Sequence, residues 1–246
     1  MTATLAAIAR YPVKGVGIEP LDRVQLQAEA PMPGDRAWAL LHEGAAQTDD
    51  WQPRRNFLVV ANGPRLAQVR AQTLEGGRLR LTHPSLDPLE FAPATDGDAL
   101  ARWVRPIWPE TSPAPTRLVQ APPQGMADNG RAELSVLNLA SLQALSDALG
   151  QPLQIERFRG NLVLEGLSPW EEFDWIGKSL TLGEVTLEVS QRIERCRATE
   201  ASPLTGDRDA LTVAALYKTW KHRDFGVYAR VTSPGTLTPG DKVQTP

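Results

Sequence analysis

The segment Leu180-Thr181-Leu182-Gly183-Glu184-Val185-Thr186-Leu187-Glu188-Val189 decides the fold class of this chain. Apolar and polar residues alternate on both sides of Gly183-Glu184, and such alternation is typical of β-strands with one buried face. Two runs of this kind separated by a short glycine-containing turn indicate a β-hairpin. The segment therefore predicts a hairpin that turns at Gly183-Glu184.

Short apolar runs on either side of this hairpin predict further strands. The chain has 21 prolines among 246 residues, and proline interrupts long helices because it lacks a backbone donor and fixes φ. The runs at 38–41 and 57–60 are continuously apolar, as in strands buried on both faces. A second hairpin is predicted over 69–82, and single strands are predicted at 5–11, 24–27, 162–164 and 227–231.

Three segments predict helices instead. The clearest has Asn138 as its N-cap, leucines at helical spacing from Leu139 to Leu149, and Gly150 as its end. A short helix is predicted near 99–104, and another from Asp209 to about Lys218. Together the patterns predict an α+β protein that is rich in β-structure and has a few helices.

A proline-rich stretch divides the chain into two halves. Six prolines lie between residues 106 and 125: Pro106, Pro109, Pro113, Pro115, Pro122 and Pro123. The stretch has too little glycine and serine for a flexible tether. We expect one domain over residues 1–105 and a second over residues 106–246.

Composition excludes several classes of function. The formal net charge is −3, and a mildly acidic chain is poorly suited to bind nucleic acid. One cysteine and three histidines exclude an internal disulfide and a cysteine-ligated iron–sulfur cluster, and they disfavour a zinc site. No signal peptide or membrane span is evident, so we expect a cytoplasmic protein without a membrane partner.

The single cysteine is the first candidate for chemistry. Cys196 is flanked by Arg195 and Arg197, with Arg192 nearby. Positive charge favours the thiolate, which attacks electrophiles and binds soft metals. The alternative is that Cys196 is a small buried apolar side chain, but charged neighbours on both sides argue against a deep core position.

Two other short segments carry candidate binding residues. Lys14 follows the first strand in Tyr11-Pro12-Val13-Lys14-Gly15, and Arg159 and Asn161 precede the strand at 162–164. An arginine and an amide placed close together suit an anionic or pterin-like ligand. The alternatives are a solvated lysine at a turn and an ordinary surface loop.

Taken in order, these segments resemble the MOSC-domain proteins with the β-barrel region that often precedes that domain. The resemblance begins with 11–14 and with Pro33-Gly34-Asp35-Arg36-Ala37-Trp38, and it continues through 134–142. It then rests on Arg157-Phe158-Arg159-Gly160-Asn161-Leu162-Val163, on Arg195-Cys196-Arg197-Ala198-Thr199 and on Pro203-Leu204-Thr205-Gly206. The closing segments 225–228, 234–236 and 240–243 also fit. The resemblance implies an N-terminal β-barrel-like region and a C-terminal MOSC β-barrel, with a cleft between them.

The resemblance also implies molybdenum cofactor (molybdopterin) chemistry that is independent of pyridoxal phosphate. By similarity to the amidoxime-reducing branch, Cys196 is the protein ligand to molybdenum and the catalytic residue. The residues that match cofactor-lining positions are Lys14, Arg36, Arg159, Asn161 and Arg195. The function implied is an oxidoreductase that reduces N-hydroxylated or N-oxide small molecules, with electrons from a separate donor protein.

Two alternatives are open. The chain could be a carrier of molybdenum cofactor, or of sulfur as a Cys196 persulfide. It could also be a relative that has lost the cofactor, because the segment 47–56 has Asp49 and Asp50 where the family pattern is basic and amide. Gly15, Glu194 and Ser202 also depart from the pattern. We expect these changes to affect the pocket contacts more than the fold.

Overall fold

The computed structural model describes residues 3–46, 48 and 50–246. Gln47 and Asp49, which belong to the divergent segment 47–56, lie outside the described residues. The β-strands are β1 (Thr4–Arg10), β2 (Val13–Lys14), β3 (Glu19–Leu21), β4 (Val24–Leu26), β5 (Trp38–His42), β6 (Arg70–Thr73), β7 (Leu79–His83), β8 (Leu86–Phe91), β9 (Pro115–Gln120), β10 (Leu134–Asn138), β11 (Leu162–Glu165), β12 (Ser179–Leu182), β13 (Val185–Glu194), β14 (Asp224–Ser233), β15 (Gly235–Leu237) and β16 (Val243–Gln244). The α-helices are α1 (Gly97–Val104), α2 (Leu139–Leu149) and α3 (Thr212–Trp220).

The largest sheet contains the hairpin predicted at residues 180–189. Its order is β16-β12-β13-β14-β10-β11-β1-β3. Strands β12 and β13 pair antiparallel with Leu182 opposite Val185, so the predicted hairpin and its turn at Gly183-Glu184 are confirmed. The alternating residues Leu180, Val185 and Leu187 are buried in the main core, because successive side chains of a strand point to opposite faces.

The β16 end of this strand order is bonded to the start of β1, the strand next to the other end. Leu5 donates a backbone hydrogen bond to Asp241 (2.9 Å), Gly240 donates to Leu5 (2.8 Å), and Val243 donates to Ala3 (2.9 Å). Strand β1 therefore meets the segment that leads into β16, and the sheet curves round as in a barrel. The prediction of a β-rich α+β fold is confirmed.

Three smaller sheets complete the strand structure that the model describes: β2-β5-β9, β6-β7-β8 and β15-β4. The first two surround a second core that includes Leu40, Leu81 and Leu100. Strand β9 lies after residue 105 but pairs with β5, and β1 lies before it but pairs with β11. The chain thus crosses between the two cores more than once, and a boundary between residues 105 and 106 stays a prediction.

The helices agree with the sequence except at one end. Asn138 caps α2 by accepting a hydrogen bond from the Ala140 backbone amide, and Gly150 ends it with φ 68°. Helix α3, however, begins at Thr212 rather than at Asp209. The Asp209 side chain is instead paired with Arg157 at 2.7 Å, so a tertiary contact displaces the helix start. None of the described helices is long and apolar enough to cross a membrane.

The expected strand at 57–60 is wrong. Phe57 makes a single β-bridge to Leu41, and the chain then turns, with Asn62 donating to the Val59 carbonyl at 2.9 Å. Phe57 and Leu58 are nevertheless fully buried. The run is apolar because its side chains are buried, and a buried apolar run need not be a paired β-strand.

Candidate active site

A cavity of about 210 Å³ lies where the end of β2 and the loops after β5 and β13 meet the loops before β5, β10 and β11. Six cationic side chains line it: Lys14, Arg36, Arg54, Arg157, Arg159 and Arg195. Three carboxylates line it as well: Asp128, Glu133 and Glu194. Cys196 and Asn161 belong to the same lining, so the structure brings all six predicted site residues together from both halves of the chain.

Lys14, at the end of β2, is 4% exposed. Its ammonium donates to the Met126 carbonyl at 2.6 Å and forms an ion pair with Asp128. Burial lowers the pKa of Lys14, and the Asp128 carboxylate acts against that shift. Lys14 is therefore a buried cation whose charge is balanced by a carboxylate from the loop between β9 and β10.

Arg36 and Arg159 lie on the ring of Tyr11. The guanidinium carbons are 4.9 Å and 4.3 Å from the ring centroid. Arg36 is paired with Asp35 and donates to the Arg159 carbonyl at 3.1 Å. Arg159 donates a long hydrogen bond to the Gly17 carbonyl, 3.4 Å, and has no carboxylate within ion-pair distance among the described residues.

The electrostatics of the two arginines differ accordingly. Burial lowers the pKa of Arg159 to about 10, which reflects a guanidinium removed from water without a close anion. Burial acts on Arg36 in the same direction, but the neighbouring Asp35 carboxylate raises its pKa overall. Arg159 is thus the cation of the pair whose charge is poorly compensated.

Arg195 and Asn161 line the cavity, but their polar groups are already bonded to the protein. Arg195 donates to the Phe225 carbonyl at 2.8 and 2.6 Å and to the Phe158 carbonyl at 2.8 Å. Asn161 accepts from the Ser135 amide and hydroxyl and donates to the Ala9 carbonyl at 3.2 Å. These side chains hold strands and loops in place around the cavity.

Cys196 lies between β13 and a short 3-10 helix, Arg197–Glu200, and is half-buried. Its carbonyl accepts from the Thr199 amide and hydroxyl, both at 3.1 Å. These bonds fix the backbone at the one thiol of the chain. The side chain is left on the cavity wall beside Arg195.

Sequence reasoning missed several residues of the site. Tyr11 was noted within a motif but not for its ring, and Arg54, Asp128, Glu133 and Tyr228 were not singled out. Tyr11 could have been found from its position three residues before Lys14. Asp128 carried no such signal, because its partner Lys14 is more than a hundred residues away in the chain.

Comparison with known families agrees with this architecture. The MOSC N-terminal beta barrel domain matches residues 2–107, and the MOSC domain matches residues 123–244. The chain is therefore a MOSC-domain protein that also carries the N-terminal barrel domain.

Individual relatives fall into two groups. Mitochondrial amidoxime reducing component 2 of Homo sapiens is 24% identical over 98% of this chain and 82% of its own length. Molybdenum cofactor sulfurase of Caenorhabditis elegans is 31% identical over 40% of this chain. The chain covers only 14% to 19% of the length of the sulfurases.

A solved structure supports the fold. The YUAD protein from Bacillus subtilis aligns over 99% of this chain and 94% of its own, with a TM-score of 0.51 and 12% sequence identity. At this identity the likeness concerns the fold alone.

Proposed function

We propose that this protein binds molybdenum cofactor in the cavity and reduces N-hydroxylated or N-oxide small molecules, with Cys196 as the protein ligand to molybdenum. The observation that carries the proposal is the composition of the cavity wall. One thiol and six cationic side chains, of which Lys14 and Arg157 are buried, line the same space. The similarity to an amidoxime reducing component over nearly the whole chain supports the same conclusion.

The cationic side chains and the Cys196 thiol of the cavity fit such a cofactor. Its phosphate requires fixed positive charge, and Arg159 is a partly buried guanidinium with no carboxylate within ion-pair distance among the described residues. Arginine can bind phosphate through two parallel hydrogen bonds, whereas lysine acts as a point charge. Molybdenum held by a dithiolene favours a further soft ligand, which is what a cysteine thiolate supplies.

Each residue of the chain then has a distinct role. Arg159 and Arg36 bind the anionic end of the cofactor, and Lys14 adds positive charge beside them. Arg195 positions the loop that carries Cys196, through its bonds to the Phe158 and Phe225 carbonyls. The bound cofactor would supply two-electron oxygen-atom transfer, while the protein supplies binding, orientation and charge.

The first test is metal and pterin analysis of protein purified from a host that makes the cofactor. We expect about one molybdenum per chain in the wild type, and turnover of an N-hydroxylated substrate with an artificial electron donor. Cys196→Ser should lose this turnover because a serine oxygen is a harder ligand that is not ionised near neutral pH. The thermal unfolding midpoint should be nearly unchanged, because Cys196 is half-buried and its backbone bonds do not need the thiol. Full turnover in the serine variant would show that Cys196 is not the ligand.

The similarity to molybdenum cofactor sulfurases favours a second candidate, a carrier of the cofactor or of sulfur on Cys196. Intact-mass measurement separates the possibilities. A persulfide on Cys196 without molybdenum indicates sulfur delivery, and bound molybdenum without turnover indicates a cofactor carrier. The absence of molybdenum, pterin and persulfide would indicate a relative that has lost the cofactor.

A further inference from the structure

Tyr11 is the one aromatic ring that contacts two different arginine side chains among the described cation–π contacts. Its side chain is buried, with 1% of the residue exposed. The face of an aromatic ring attracts cations through its quadrupole, and the attraction is stronger where water is excluded. Arg36 and Arg159 are otherwise like charges that repel each other within one cavity.

The backbone around this stack is tied together by three hydrogen bonds. The Tyr11 amide donates to Asp35 Oδ1 at 2.8 Å, the Arg36 amide donates to the Tyr11 carbonyl at 2.7 Å, and the Tyr11 hydroxyl donates to the Gly160 carbonyl at 3.1 Å. Tyr11 therefore joins the loop that carries Arg36 to the loop that carries Arg159. These two loops come from opposite halves of the chain.

Both arginines have left-handed backbone conformations, each with φ 49°. Such conformations are uncommon for residues other than glycine, and they persist where the surrounding structure enforces them. Here the enforcement comes from the contacts with Tyr11 and from the bond between Arg36 and the Arg159 carbonyl. The strain lies at the two residues whose side chains converge on the cavity.

We propose that Tyr11 is a positioning residue, which holds the Arg36 and Arg159 guanidinium groups in register to receive the anionic end of the ligand. This inference rests on the proposed function, since it concerns the same cavity. Because burial raises the pKa of Tyr11 to about 12, the phenol is neutral under ordinary conditions. The neutral ring holds the two guanidinium groups without neutralising them, and the charge of Arg159, which has no carboxylate within ion-pair distance among the described residues, is available to an incoming anion.

The test measures binding of inorganic phosphate to cofactor-free protein by titration calorimetry. Tyr11→Phe keeps the ring and should bind phosphate within about threefold of wild type, whereas Tyr11→Leu removes the ring face and should bind about tenfold more weakly. Phe91→Leu is the matched control, because Phe91 is an equally buried aromatic residue outside the cavity, and it should bind as wild type does.

Two results would overturn the proposal. Wild-type affinity in Tyr11→Leu would make Tyr11 an ordinary core residue, and equal loss in Tyr11→Phe would assign the effect to the hydroxyl rather than to the ring. If Tyr11→Leu does not fold, fluorinated phenylalanines at position 11 give the same test. Affinity should then fall stepwise as fluorine weakens the ring face, and the absence of a trend would contradict the proposal.

Failure of this inference is distinguishable from failure of the proposed function. If wild type binds phosphate and Tyr11→Leu does not, the positioning role stands even when purified protein holds no molybdenum. If wild type binds no phosphate at millimolar concentration, the arginine pair is not an anion site, and the inference fails whatever the molybdenum content.

Discussion

At the residue scale, the cationic side chains of the cavity differ in what they already bond. Arg195 is committed to backbone carbonyls, whereas Arg159 makes one long hydrogen bond among the described residues. A guanidinium without a close partner can accept an incoming anion without losing bonds it has already made. The same residue type therefore serves two purposes in one site, and only tertiary contacts reveal which.

The roles proposed for these arginines, binding the ligand or holding the loops, predict different outcomes for two sets of variants. Arg36→Ala and Arg159→Ala should weaken cofactor retention by about one to two decades, because a charge-assisted hydrogen bond contributes about 1.5–3 kcal/mol. Arg195→Ala should instead lower the free energy of unfolding. Cofactor retention is measured as the molybdenum content after gel filtration, and the stability of Arg195→Ala is measured by urea denaturation. Equal cofactor content in wild type, Arg36→Ala and Arg159→Ala would place these arginines outside the binding site.

A second prediction concerns pH and the half-exposed Asp128. Partial burial acts against its charged form, but Lys14, Arg36 and Arg54 lower the pKa of Asp128 below its usual 3.8. A carboxyl group with a depressed pKa in the folded state stabilises the protein above its unfolded pKa, and this contribution is lost as pH falls through the folded value. Asp128→Asn should therefore be less stable than wild type by a constant margin from about pH 7 to about pH 5, and the margin should shrink below about pH 4. Urea denaturation across this range checks the trend, and a margin independent of pH would contradict it.

At the scale of elements, the start of α2 is fixed by a buried polar cluster. Asn138 caps the helix and also donates to Glu172 and to the Ser168 carbonyl, both at 2.8 Å. Asn138→Ala should therefore lower the free energy of unfolding by about 1 kcal/mol for the lost helix cap. The buried acceptors left without a donor should lower it by about 1–3 kcal/mol more. Gln143→Ala on the exposed face of the same helix is the control and should change stability by less than about 0.5 kcal/mol. A similar small loss in both variants, measured by denaturation, would show that the cluster does not fix the helix.

The elements that sequence patterns predicted correctly are those determined by local chemistry. The hairpin at 180–189 has alternation and a turn residue, and α2 has its cap and its glycine. The run at 57–60 has no alternation, so its burial could not be translated into a backbone conformation, although Asn62-Gly63-Pro64 just after it is a turn signal. For the site, the motifs supplied all six predicted residues that line the cavity: Lys14, Arg36, Arg159, Asn161, Arg195 and Cys196. The Asp128 and Tyr11 contacts depend on loops that meet only in the folded chain.

At the scale of the whole molecule, the chain needs a source of electrons for the reduction that we propose. It has one cysteine, which we assign to the metal, so no thiolates are left for an iron–sulfur relay. The sequence also shows no glycine-rich dinucleotide fingerprint. We therefore propose a separate electron-donor protein.

This proposal predicts the outcome of a substrate-depletion assay with three electron sources in parallel. NADH or NADPH alone should give no turnover of N-hydroxylated substrate. An artificial one-electron donor, or a reductase from the same cell, should restore it. Turnover with a nicotinamide cofactor and no second protein would mean that the chain binds that cofactor itself.

The bonds between residues 3–5 and 240–243 also bear on how the chain folds. The C-terminal part of β1 pairs with the nearby β3, whereas residues 3–5 bond to a segment near the other end of the sequence. An unpaired strand edge is prone to association with other chains, and pairing of distant segments is intrinsically slow. We therefore expect the contact between residues 3–5 and 240–243 to form late in folding, after β1 has paired with β3.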